Sequence, residues 1–153
     1  MTPYVKSTEP LYIKLIIPVK PRTKKNSQQI MKAGNKRWIG PSKAAIDFEL
    51  QCGWWIKTAL RKKINEPVNV RVRFFVDSKR KVDLTNLLES IDDVLVRYGV
   101  LADDNAGIIA GHDGSRVYVD RIHPRLEIEI RPIEVYDIYN HCTEMDEPEF
   151  TRY

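Results

Sequence analysis

The chain has 153 residues, 42% hydrophobic and 9% aromatic, a size suited to one hydrophobic core and a composition too apolar for a disordered segment. There is no run of about 18 apolar residues, and the opening MTPYVKSTEP lacks the apolar stretch of a secretory signal, so a soluble, cytoplasmic protein is expected. The net charge of +4 hides an uneven distribution: residues 1–82 carry 19 Lys or Arg against 5 acids, residues 83–133 carry 5 against 10, and residues 134–153 carry 1 against 6. A basic surface attracts a polyanion by counterion release, and an acidic patch beside it would repel that polyanion unless cations neutralised it.

In chain order, residues 11–17, LYIKLII, form a short apolar run closed by Pro18 and predict a buried first strand. The stretch from Val19 to Ser42 carries seven Lys or Arg among Pro, Gly, Asn and Ser without clear periodicity, which predicts a long basic loop suited to gripping a phosphate backbone. Ser42 is a candidate N-cap for a helix of about twenty residues in which Ala45, Phe48, Leu50, Cys52, Trp55, Ile56, Ala59 and Leu60 follow a helical apolar pattern up to RKK at 61–63. A basic last turn suits the helix macrodipole as well as DNA, so both readings of RKK stay open. Trp54 and Trp55 are expected in the core or at a subunit contact rather than stacked on bases. Cys52 reads as a small core residue, and with Cys142 far off and no CxxC or zinc-type histidine spacing, neither a disulfide framework nor a zinc site is indicated.

Residues 68–76, VNVRVRFFV, alternate apolar and polar positions and predict a half-buried strand. After DSKRKVD, the apolar positions Leu84, Leu87, Leu88, Ile91, Val94, Leu95 and Tyr98 recur at helical spacing up to Gly99, with Asp83 standing where an N-cap belongs. Beyond a turn-rich segment, RVYVD and PRLEIEIRPI predict two more strands, expected to form an antiparallel pair. The sum is β-α-β-α-β-β, an α/β (α+β) fold in which a mixed sheet is packed with two helices. One domain over residues 1–133 with an acidic tail over 134–153 is expected.

The second helix is the most informative segment. Asn86, Glu89 and Asp93 lie at i, i+3 and i+7 and share a face, while Thr85, Glu89 and Asp92 form an overlapping stripe. Asp83 opens the helix and Asp103 and Asp104 follow its end, so a returning chain could bring several carboxylates together around a hard divalent cation such as Mg²⁺. A solvated helix face is the plain alternative. Its neighbourhood argues against that, because KRK at 79–81 abuts Asp83 and could hold phosphates beside acids that hold a metal for phosphodiester hydrolysis. His112 is a rival general base, but HDG in a turn region reads first as hairpin chemistry.

The string KVDLTNLLESIDDVLVRYGVLADDN resembles the signature of the RusA-type crossover-junction endodeoxyribonucleases, in which DxDN opens a helix and DD follows a Gly-containing turn. PRTKKNS resembles the basic Pro/Asn segment after that family's first strand, and the predicted order of elements agrees. The resemblance implies a homodimer that binds four-way (Holliday) DNA junctions in recombination and repair and makes paired nicks with Mg²⁺, for which Mn²⁺ would substitute. Asp83 and Asp104 fall on the family's metal-binding aspartates, and Asp103 and Asp93 on further acidic positions. DLTN puts Thr85 where the family has its second aspartate, and Glu89 stands where the best-known members place a lysine. Residues 85 and 89 share a helix face, so Glu89 could supply the oxygen ligand that Thr85 cannot. The catalytic set is then Asp83, Glu89 and Asp104, with Asp103 as a further metal ligand, while Arg22, Lys24, Lys25, Asn26, Lys79, Arg80 and Lys81 grip the DNA. A non-catalytic branched-DNA-binding module and an RNA-processing enzyme are the competing readings.

Overall fold

The structure, a computed structural model, describes residues 12–24 and 28–133. Lys25, Asn26 and the acidic segment 134–153 lie outside the described residues.

Among the described residues, seven strands and two α-helices follow one another as β1 (Ile13–Ile17), β2 (Gln28–Ala33), β3 (Lys36–Pro41), α1 (Lys43–Trp55), β4 (Val68–Val76), α2 (Leu84–Arg97), β5 (Ile109–Gly111), β6 (Arg116–Val119) and β7 (Arg125–Pro132), with a 3₁₀ turn at Thr58–Leu60. The main sheet is mixed. β7 lies antiparallel between β1 and β4, and the other edge of β4 pairs in parallel with β5 at its start and with β6 at its end. A parallel partner cannot be reached by a tight turn, so the chain crosses over through α2. The α+β expectation with a mixed sheet and two helices therefore holds.

Alternation decides which face of the sheet is covered. Val68, Val70, Val72 and Phe74 of β4, Leu126, Ile128 and Ile130 of β7 and Ile13, Leu15 and Ile17 of β1 are buried, and Phe48 and Cys52 of α1 with Leu87, Ile91, Val94 and Leu95 of α2 close over them. The opposite face is a ladder of charge: Arg73 pairs with Glu127 at 2.7 Å and Arg125 with Glu127 at 2.9 Å, while Arg71 and Arg131 flank Glu129 at 3.7 Å. Cross-strand pairs of opposite sign suit a sheet with one face in water.

Helix α2 is bounded as the sequence predicts. Asp83 caps its start, and at its end Val100 N donates to Leu95 O at 2.9 Å and Gly99 N to Val96 O at 3.0 Å, a Schellman motif for which Gly99 takes φ +73°. Ser42 likewise caps α1, its hydroxyl accepting from Ala45 N.

Four expectations need correction. The basic stretch after β1 is not one loop, because β2 and β3 form a two-stranded sheet of their own around a two-residue turn in which Gly34 takes φ +59°. Helix α1 ends at Trp55, so RKK at 61–63 follows the 3₁₀ turn and is not its last turn. Trp54 and Trp55 are 81% and 50% exposed, so of the core and the subunit contact expected for them the core is ruled out. That helix carries apolar side chains on two faces, Ala45, Phe48 and Cys52 inward and Ile46, Leu50 and Trp54 outward. Finally, β6 and β7 do not pair with each other, since each takes an opposite edge of β4.

The two helices meet at Gly53, where an added Cβ would lie 2.2 Å from the Tyr98 ring. Alanine favours a helix over glycine by about 1 kcal/mol, yet forcing a methyl into a filled contact costs about 1–3 kcal/mol. Gly53→Ala is expected to lower the melting temperature, which thermal unfolding would check.

Candidate functional site

The segment between β4 and α2 joins two charged regions. Lys20, just past β1, pairs with Asp77 at 2.6 Å, and this hydrogen bond holds the Asp77 carboxyl below its ordinary value. Lys20, Arg22, Ser78, Arg80 and Val82 line a cleft of about 290 Å³ whose floor includes Val76 and Leu87. Lys79 and Lys81 are exposed on either side of Arg80. Arg22 and Arg80 thus share one cleft with Val82, the residue before Asp83, and Lys79 and Lys81 are exposed in the segment that leads to it. The exposed Asp83 itself is occupied locally, its Oδ1 accepting from Thr85 N at 2.9 Å and Asn86 N at 3.4 Å.

A second acidic group gathers further along α2. Lys24 Nζ donates to Asp93 Oδ2 at 2.8 Å, and that bond, with the charges of Asp93, Glu49 and Glu89, raises the lysine above its ordinary value against the cost of burial. Beyond the helix, Asp103 Oδ1 accepts from Asp104 N at 2.8 Å and Oδ2 from Asn105 Nδ2 at 2.9 Å. Donation from Asn105 and from Asp104 keeps the Asp103 carboxyl below its ordinary value. The hydrogen bond to Asp103, slight burial and the charges of Asp103 and Asp93 push Asp104 above its own.

Asp103 is thus the chief neighbour of Asp104, while Asp83 caps the start of a helix of 14 residues, which rises about 21 Å over its length. Asp93, ten positions after Asp83, stands about 15 Å along that axis from it. Among the described residues, no three His, Cys, Asp or Glu side chains are placed to hold a metal ion. The set Asp83, Glu89, Asp103 and Asp104 does not form a metal cage within one chain as it stands.

One pair escaped the sequence reading. His112 Nδ1 lies 2.8 Å from Val70 O, and Nε2 lies 2.9 Å from Asp92 Oδ2, tying the turn after β5 to both β4 and α2. Ser115 N donates to His112 O and Gly114 takes φ +81°, so a turn forms, but it joins β5 and β6 along one edge of β4 and does not close the expected hairpin. The partnership of Asp92 with a residue 20 positions on has no signature in spacing. The same holds for Glu49 of α1 and Arg97 of α2, which form an ion pair between the helices.

No helix among the described residues is long and apolar enough to cross a membrane. A search of curated proteins yields no match. The family model described as Endodeoxyribonuclease RusA matches residues 16–131, from the end of β1 to the end of β7. The chain belongs to the RusA endodeoxyribonuclease family.

Proposed function

We propose that this protein is a structure-selective endodeoxyribonuclease that resolves four-way DNA junctions in recombination and repair, acting as a homodimer. The observation that carries the reading is membership of the family across the whole sheet and both helices. It is supported by the cationic cleft of Lys20, Arg22 and Arg80 beside the start of α2. Lysine and arginine contacts to phosphates carry no sequence information, so recognition rests on junction shape and weakens steeply with salt.

The proposal includes dependence on Mg²⁺, with Mn²⁺ as a substitute. Hard oxygen donors such as Asp83, Glu89, Asp103 and Asp104 are the right chemistry for such an ion, although among the described residues no three of them are placed to hold one. What the chain's own residues do is separable from the ion: the rim cations hold the backbone, and the carboxylates keep negative charge close to the bound phosphates.

Thr85 in place of the family's second aspartate favours one alternative: a binding module that has lost cleavage. A synthetic four-way junction with Mg²⁺ or Mn²⁺ decides between them. The nuclease gives paired nicks near the crossover and little cutting of linear duplex or structured RNA. The module shifts the junction without nicking it, even at high protein concentration.

A further inference from the structure

We infer that the β2–β3 hairpin is a nucleic-acid-binding ribbon that enters a groove of a duplex DNA arm, a role that rests on the DNA-directed reading above and adds a contact surface to it. The hairpin stands apart from the main sheet, its strands pairing with each other from Gln28↔Pro41 to Ala33↔Lys36. A two-stranded ribbon by itself is marginal in water, and the make-up of this one is costly for a surface that meets only solvent. Lys32 lies directly opposite Arg37, with Lys36 one position before it, and all three are exposed. Like charges facing each other across a strand pair are destabilising. No acidic residue occurs between Glu9 and Asp47 to offset them in sequence.

On the same face as Lys32 and Arg37, Ile30 lies opposite Ile39, 71% and 69% exposed, and Trp38 on the other face is 46% exposed. Cations at the tip and apolar side chains behind them conflict with a solvated ribbon and suit a polyanion with an apolar interior. The major groove of DNA, about 12 Å wide, admits a two-stranded ribbon. Inserted there, Lys32, Lys36 and Arg37 reach the flanking phosphates and relieve their mutual repulsion, while Ile30 and Ile39 lie against the base edges. The phosphate contacts hold a duplex arm without demanding a sequence.

The test measures binding of the full chain to duplex and four-way-junction DNA by fluorescence anisotropy across a salt series, with nicking followed in parallel. For the double variant Lys32→Ala/Arg37→Ala, the plot of log affinity against log salt is expected to become shallower by about 1.8, close to a tenfold loss near 0.25 M salt. Its melting temperature should not fall, since the two cations repel each other. A parent-like slope and affinity overturn the inference. If the parent binds no DNA at any salt, the nuclease reading itself fails; if the parent binds and nicks while the variant matches it, only the hairpin's role fails. Ile30→Ser/Ile39→Ser keeps the charges and is expected to weaken DNA binding at unchanged slope. Should that variant instead turn a sedimenting dimer into a monomer with parental DNA affinity, a second copy of the chain covers the hairpin and the inference is wrong.

Discussion

Asp83→Asn is expected to reduce junction nicking by about a hundredfold or more, the scale on which removal of a charge-stabilising group acts in catalysis, while leaving the fold intact. Asp83 has two separable tasks. Its Oδ1 accepts from the amides of Thr85 and Asn86 and so caps α2, and its negative charge faces solvent beside the cleft of Lys20, Arg22 and Arg80. Asparagine caps a helix about as well as aspartate, whereas alanine costs about 1 kcal/mol. Asp83→Asn therefore removes the charge and keeps the cap, and Asp83→Ala removes both. The comparison predicts equal loss of cleavage in the two variants, with a lower melting temperature only in the alanine variant and junction binding kept by the asparagine variant. Parental nicking by Asp83→Asn would reduce Asp83 to a helix cap and leave Asp93, Asp103 and Asp104 as the acids of interest.

The features that were readable in advance share a cause: they are set by short-range periodicity against one buried face. β4 buries every second residue and α2 one continuous stripe, so each announces both its type and its orientation. The β2–β3 hairpin announces neither, because almost every described side chain in it is exposed and no burial imposes a period of two. Its turn signal, Gly34–Asn35 between Ala33 and Lys36, lies in a basic stretch that reads as a loop. Helix α1 misleads in the opposite way, since apolar residues on two faces imitate a longer and more buried helix.

The site follows the same logic. The acids of α2 and the DD after Gly99 could be named from their spacing, as could the cations just before Asp83. What spacing could not say is how the acids beyond α2 are held, with Asp103 accepting from the Asp104 amide and from Asn105. Nor could it show that Lys24 reaches across to Asp93. These are facts of tertiary placement, and the family signature in the sequence carries the residues without their distances.

The other large effect expected is a pH-dependent loss of stability centred on His112. Val70 O can only accept, so Nδ1 must carry a proton. A neutral ring would then turn the lone pair of Nε2 toward the Asp92 carboxylate 2.9 Å away. Two acceptors around one ring call for the imidazolium. Burial opposes that charge, yet the hydrogen bond and charge of Asp92, the Val70 carbonyl and the charge of Asp113 outweigh it and leave His112 above its ordinary value of 6.5. A histidine raised in the folded state contributes stability that is fully present below its unfolded value and is lost as pH climbs through the folded one. The parent protein should therefore lose stability as pH rises from about 6 into the alkaline range. His112→Gln is expected to be most destabilised at about pH 6 and to approach the parent at high pH. Asp92→Asn should flatten the same dependence from the other side, because the amide carries no charge to favour the imidazolium and its N–H can donate to the Nε2 lone pair of a neutral ring while Nδ1–H keeps its bond to Val70 O. Chemical denaturation of the three proteins at several pH values measures the difference, and parallel curves across the range would show that the ring stays neutral where it is packed between α2 and β4.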